Sequence, residues 1–127
     1  ETLFNNARRD QLGGQYELAL SEFEEFLKQF PNNDLAPAAQ FHIGEIHYAN
    51  GNYQAALKAF DLVLEKYPEN DKTPDAMFMK AMTLSRLGQR QAAARELQTL
   101  LRRYPKSELA QRAKVELDRL GATPSKR

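Results

Sequence analysis

With 127 residues, 42% of them hydrophobic and 28% charged, the chain has the apolar content of one globular domain and too much of it for a disordered segment. It contains no cysteine, which excludes disulfides, thiolate metal sites and cysteine nucleophiles. Net charge is only +1, yet residues 1–85 carry 7 basic and 13 acidic side chains and residues 86–127 carry 11 and 4, so the two ends differ in sign.

No apolar run approaches the roughly 20 residues of a membrane-crossing helix, and no signal peptide is visible. The chain starts at Glu1, not Met, and reads as a piece of something longer.

In chain order, a helix is predicted over 2–12, ending at Gly13 and Gly14. A second, over about 15–29, places Tyr16, Ala19, Leu20, Phe23, Phe26, Leu27 and Phe30 at helical spacing and stops before Pro31. Asn33 then offers an N-cap, with Asp34 in the first turn, to a helix over about 34–50 that closes at Gly51. Another over about 52–66 carries Tyr53, Ala56, Leu57, Phe60, Val63, Leu64 and Tyr67 and stops before Pro68. Asn70 and Asp71 open a helix over about 71–87, closed by Gly88. The next, about 89–103, carries Arg90, Ala93, Ala94, Leu97, Leu100, Leu101 and Tyr104, with Arg90 alone breaking the apolar pattern. A last helix over 107–120 is capped by Ser107, with Ala110, Ala113, Leu117 and Leu120 inward and Gln111, Arg112, Glu116 and Arg119 toward water. Gly121 ends it, and residues 122–127 read as a flexible tail.

The glycines at 14, 51 and 88, the prolines at 31, 68 and 105, and the caps at 33, 70 and 107 are all spaced by 37 residues. A fixed period over most of a chain marks stacked copies of one unit, here helix, tight turn, helix. Ala19, Ala56 and Ala93 allow close helix approach, while Phe23, Phe60 and Leu97 fill the space between units. Since neither helix can bury its apolar face alone, the units must stack, and 107–120 supplies the lid.

This spacing of Gly, Tyr, Ala, Phe and Pro resembles the tetratricopeptide repeat, usually about 34 residues long. The resemblance implies a right-handed all-α solenoid over 1–121, with repeats of about 1–33, 34–70 and 71–106 and a capping helix at 107–120. The extra three residues are expected to lengthen each first helix by almost one turn. The 37-residue variant "AQFHIGEIHYANGNYQAALKAFDLVLEKYP" with "KTPDAMFMKAMTLSRLG" is similar to the C-terminal domain of the Tol-Pal system proteins YbgF, also called CpoB. BamD-like outer-membrane lipoproteins use similar units and supply the alternative.

The YbgF resemblance implies a periplasmic protein with a signal peptide and a trimerising coiled coil ahead of the repeats. It implies a TolA partner and a role linking envelope constriction to peptidoglycan synthesis. The third unit departs from the pattern at Arg90, and at Lys80 and Ala81, where Leu-Gly is expected.

In such repeats the first helices line a concave face. The residues placed there in register are Phe4, Phe41 and Phe78, then Arg8, Glu45 and Met82, then Gln11, Tyr48 and Ser85, flanked by Arg86. The three phenylalanines are expected to form an aromatic ladder, continued by Val115, on which a partner segment lies while Arg8, Glu45 and Arg86 orient it. The alternative is that the rings pack only between adjacent first helices. Repeats that clamp a terminal carboxylate place Lys and Asn along this face; Phe, Glu and Met here favour an internal, partly apolar segment.

No catalytic, cofactor or metal site is expected. His42 and His47 lie five apart, off the three or four spacing of ligands on one helix face. No Ser–His–acid set or phosphate-cradling glycine loop appears, and the acids of "SEFEEF" fall at helical-surface spacing. RNA binding would need a basic stripe along several repeats, and the first two are acidic. The Arg-rich end reads as a solvated surface, or as a dock for an acidic partner near Arg102, Arg103 and Lys106.

Overall fold

The computed structural model describes residues 2–121 as helices joined by short turns, with no strand among them. The helices are α1 (Thr2–Leu12), α2 (Tyr16–Gln29), α3 (Ala36–Ala49), α4 (Tyr53–Lys66), α5 (Thr73–Arg86), α6 (Arg90–Arg103) and α7 (Glu108–Leu120). The expected tail, 122–127, lies outside the described residues.

Each hairpin turn is built identically. Gly14, Gly51 and Gly88 hold φ of 81°, 78° and 82°, a conformation that costs glycine little. The next residue's N–H then reaches back to the last turn of the preceding helix, Gln15 to Asp10 O, Asn52 to His47 O and Gln89 to Leu84 O, at 2.8 to 2.9 Å.

Only Ser107 caps its helix as expected: α3 and α5 start two residues later than expected, so Leu35 and Lys72 take the N-cap place and Asn33 and Asn70 bond in the turn before it. Asn33 Oδ1 accepts from the Leu35 N–H and Asn70 Oδ1 from the Lys72 N–H, both at 2.8 Å, as Ser107 Oγ accepts from Leu109 at 3.0 Å. Pro37 and Pro74 then sit in the first turn of each helix. Having no N–H, Pro37 cannot bond the carbonyl four residues back, and Asn33 O is taken by Ala36 at 2.9 Å in a tighter turn. The extra residues therefore enter a leading turn and do not lengthen the helix: α3 and α5 have 14 residues, as do α4 and α6. α7, without a proline, starts directly after its cap.

The helices pack in sequence order, each against the next. Beyond those neighbours α3 also meets α5 and α5 meets α7, whereas no even-numbered pair packs to the same degree. The odd helices are thus on the inside of the bend and the even ones splay outward, which makes the stack a curved solenoid with a concave odd-helix face.

The core runs along this stack as three linked clusters. One gathers Phe4, Phe23, Phe26 and Ile46, a second Phe41, Phe60, Val63 and Ala76, and a third Met77, Phe78, Leu97, Leu100 and Leu117. Of the residues expected inside α7, Ala110, Ala113 and Leu117 are buried and Leu120 is half-buried. Phe30, expected in the core, stays 42% exposed at the end of α2, resting on Phe26.

Both departures of the third unit have a structural reason. Lys80 takes the register position of the buried Ile43, and its Nζ lies 2.8 Å from Asp61 and 3.9 Å from Glu96, so one cation joins α4, α5 and α6. Burial alone would lower its pKa, but the bond to Asp61 and the charge of Glu96 outweigh this and hold it above the ordinary value. Arg90, in the position of Tyr16 and Tyr53, donates from Nη2 to Leu120 O at 2.7 Å and so ties α6 to the end of α7.

Candidate functional site

The concave face is built by the odd helices, and every residue expected there is among those described. Phe4, Phe41 and Phe78 do not form an open ladder: they are 8%, 5% and 3% exposed. Phe4 meets Phe23 and Phe26 edge-on at 5.7 and 5.6 Å, and Phe41 meets Phe60 at 5.5 Å. Each falls in the same packed cluster as an alanine of the next first helix, Ala39, Ala76 and Ala113 respectively. Those alanines are themselves 37 residues apart and leave room for the ring, so the phenylalanines join neighbouring units. That interlock was legible in the sequence as an Ala at 39, 76 and 113, a signal the ladder reading passed over. Only Val115, the fourth rung, is open, at 50% exposure.

The second and third rows stay accessible. Arg8, Gln11, Glu45, Tyr48, Met82 and Ser85 are half-buried and Arg86 is exposed. Several are held by bonds running from one repeat to the next. Arg8 Nη1 donates to Gln11 Oε1 at 2.7 Å, and Gln11 Nε2 donates across from α1 to Glu45 Oε1 on α3 at 3.1 Å. The His42 ring meets the same Oε1 at 2.7 Å. Farther along, Arg86 Nε on α5 donates to Tyr48 Oη on α3 at 3.3 Å, and Tyr48 meets the Tyr53 ring edge-on at 5.2 Å.

Electrostatics follow from this geometry. Burial among Phe4, Phe23 and Phe41 pushes the His42 pKa down, against the pull of Glu45, so the ring is neutral near pH 7 and donates through Nδ1–H. Burial would raise the Glu45 pKa, but the His42 ring, the Gln11 amide and the Arg8 charge together hold it below the ordinary value. Glu45 is thus an ionised acceptor shared by two repeats.

Cations lying over groove rings were not foreseen. Lys72 Nζ sits 5.3 Å from the centroid of Phe41, and the Arg112 guanidinium 4.5 Å from that of Phe78. The Arg86 guanidinium stands 5.9 Å from Tyr48 and 5.8 Å from Tyr53. Nothing in the local sequence around Lys72 or Arg112 announces these pairs, since they join residues 31 and 34 positions apart.

Among the described residues no three His, Asp or Glu side chains come together as metal ligands would, and no helix is long and apolar enough to cross a membrane. The arrangement is a concave, mixed-charge surface of side chains ordered across repeat boundaries, suited to holding a polypeptide segment. No curated protein matches the chain. The family described as YfiO, outer membrane lipoprotein, matches residues 1–122, nearly the whole length, and the chain belongs to that family.

Proposed function

We propose that the chain is a non-catalytic adaptor of the bacterial cell envelope, working on the periplasmic side, whose concave groove holds a segment of a partner protein. The observation that carries this reading is a set of groove side chains between Arg8 and Arg86 tied across repeats at two places, by the Gln11–Glu45 and Arg86–Tyr48 hydrogen bonds. Side chains fixed before binding lose little freedom when a partner arrives.

Two finer roles have support of different kinds. Membership of an outer membrane lipoprotein family favours a BamD-like adaptor in outer-membrane assembly. The 37-residue units quoted above favour a YbgF-like adaptor taking a TolA segment and linking Tol-Pal constriction to peptidoglycan synthesis, with the full-length protein a coiled-coil trimer.

A photo-crosslinking residue at Ser85 in the groove and another at Glu65, exposed on α4, would test both in living cells. The adaptor reading expects Ser85 to capture an envelope protein that Glu65 does not. Capture of an outer-membrane assembly component supports the first role and capture of TolA the second; equal capture from both positions would overturn the groove as the binding site.

A further inference from the structure

Resting on the groove reading, we infer that the C-terminal half of the groove recognises an acidic peptide segment, with Arg86 and Arg112 each receiving a carboxylate. Both guanidiniums are pre-positioned by rings: Arg112 over buried Phe78 at 4.5 Å, Arg86 beside Tyr48 and Tyr53 with its Nε already bonded to Tyr48 Oη. The ring contacts and the Nε bond restrain where each side chain lies, and none of the described hydrogen bonds uses a terminal N–H group of either fork, which suits a bidentate partner. Among the described residues neither guanidinium has a carboxylate within ion-pair distance, unlike Arg103 with Glu69 or Arg119 with Glu116.

The surroundings select the kind of anion. Glu45, Asp75 and Glu116 share the odd helices with these arginines, so an unbroken polyanion such as RNA would meet carboxylates along its path. Discrete carboxylates separated by apolar residues would not, because Met82 and the half-exposed Val115 belong to the same face. In register Arg112 stands at the position of Asp75, eleven residues before Arg86 on a first helix. Helix rise therefore separates the two by about 16 Å along the axis, and one helix spacing adds about 9 Å sideways. An extended segment covers that diagonal in about six residues.

The test is fluorescence anisotropy with a labelled Leu/Ser peptide bearing two glutamates six residues apart, its Glu→Gln counterpart, and an oligouridine of similar length. The unaltered protein is expected to bind the glutamate peptide at least about tenfold more tightly than the glutamine one, less so at high salt. Arg86→Gln with Arg112→Gln should abolish that preference, while Lys58→Gln with Arg95→Gln, exposed on α4 and α6, should retain it. Circular dichroism would check that both pairs fold, and the peptide comparison on the unaltered protein needs no variant. Equal binding of the two peptides, no binding of either, tighter binding of the oligouridine, or equal loss in both variant pairs would overturn the inference. The adaptor reading would survive such a result if Ser85 still captured an envelope protein.

Discussion

A Cβ added to Gly44 would stand 2.5 Å from Cε1 of Phe60, closer than any such contact a folded protein tolerates. The Phe60 ring is fully buried and flanked by Phe41, so it has nowhere to retreat. The absent side chain sets how closely α3 and α4 approach. In the third unit the same register holds Ala81 and Leu97, a larger first-helix residue facing a smaller second-helix one. Ala7 and Phe23 occupy it in the first unit, so the spacing of this particular hairpin, not the repeat pattern, demands glycine.

Gly44→Ala is accordingly expected to destabilise the fold by about 1–3 kcal/mol through overpacking. Adding Phe60→Leu should recover part of that loss, a coupling measurable by a double-mutant cycle in urea. Strictly additive effects would show that the two positions do not share the strain.

Phe41→Ala and Phe78→Ala should act on folding before they act on binding. Removing a buried phenylalanine costs about 3–5 kcal/mol, and two such losses rival the roughly 5–15 kcal/mol of a whole domain. Circular dichroism should show the double variant without a cooperative thermal transition. A folded double variant of normal Tm that has lost its partner would instead restore the rings as contact residues.

Stability should fall as the medium is acidified from about pH 6.5, the ordinary histidine value, in part because of His42. Its folded-state pKa is depressed by burial, so below the ordinary value the unfolded chain takes up a proton that the folded chain resists. Glu45, also depressed, adds a separate loss in the lower carboxylate range, as pH falls through its folded-state pKa. Urea midpoints for the parent and His42→Gln across this range should diverge, with the variant flatter in the histidine window. Parallel curves would mean His42 is not what responds.

Lys80→Met should leave Asp61 and Glu96 facing each other without their shared cation and cost about 1–2 kcal/mol. Lys80→Ile with Glu96→Ala recreates the Ile43 and Ala59 of the second unit and should restore much of the stability. Denaturant midpoints of the three proteins decide it, and a double variant weaker than Lys80→Met alone would contradict the account.

Arg90→Ala removes the side-chain tie from α6 to the Leu120 carbonyl, so the end of α7 should fray. Hydrogen exchange is expected to quicken at the C-terminal amides of α7 and to stay unchanged in α3 and α4. Protection lost evenly over the chain would point to global destabilisation instead.

The sequence alone determined the repeat: glycine, proline and cap positions at one fixed period dictate where the chain turns, because backbone conformation at those residues is a local matter. It misjudged where α3 and α5 begin, since the late proline trades helical residues for a turn, and it left open whether three phenylalanines face the groove or pack between first helices, where the stack encloses them. Which face of a ring meets solvent depends on the neighbouring unit, and that neighbour lies more than thirty residues away. Only the tertiary structure could put Ala76 beside Phe41, Arg112 over Phe78 and Gln11 against Glu45, because those contacts exist only once helices distant in sequence have packed together.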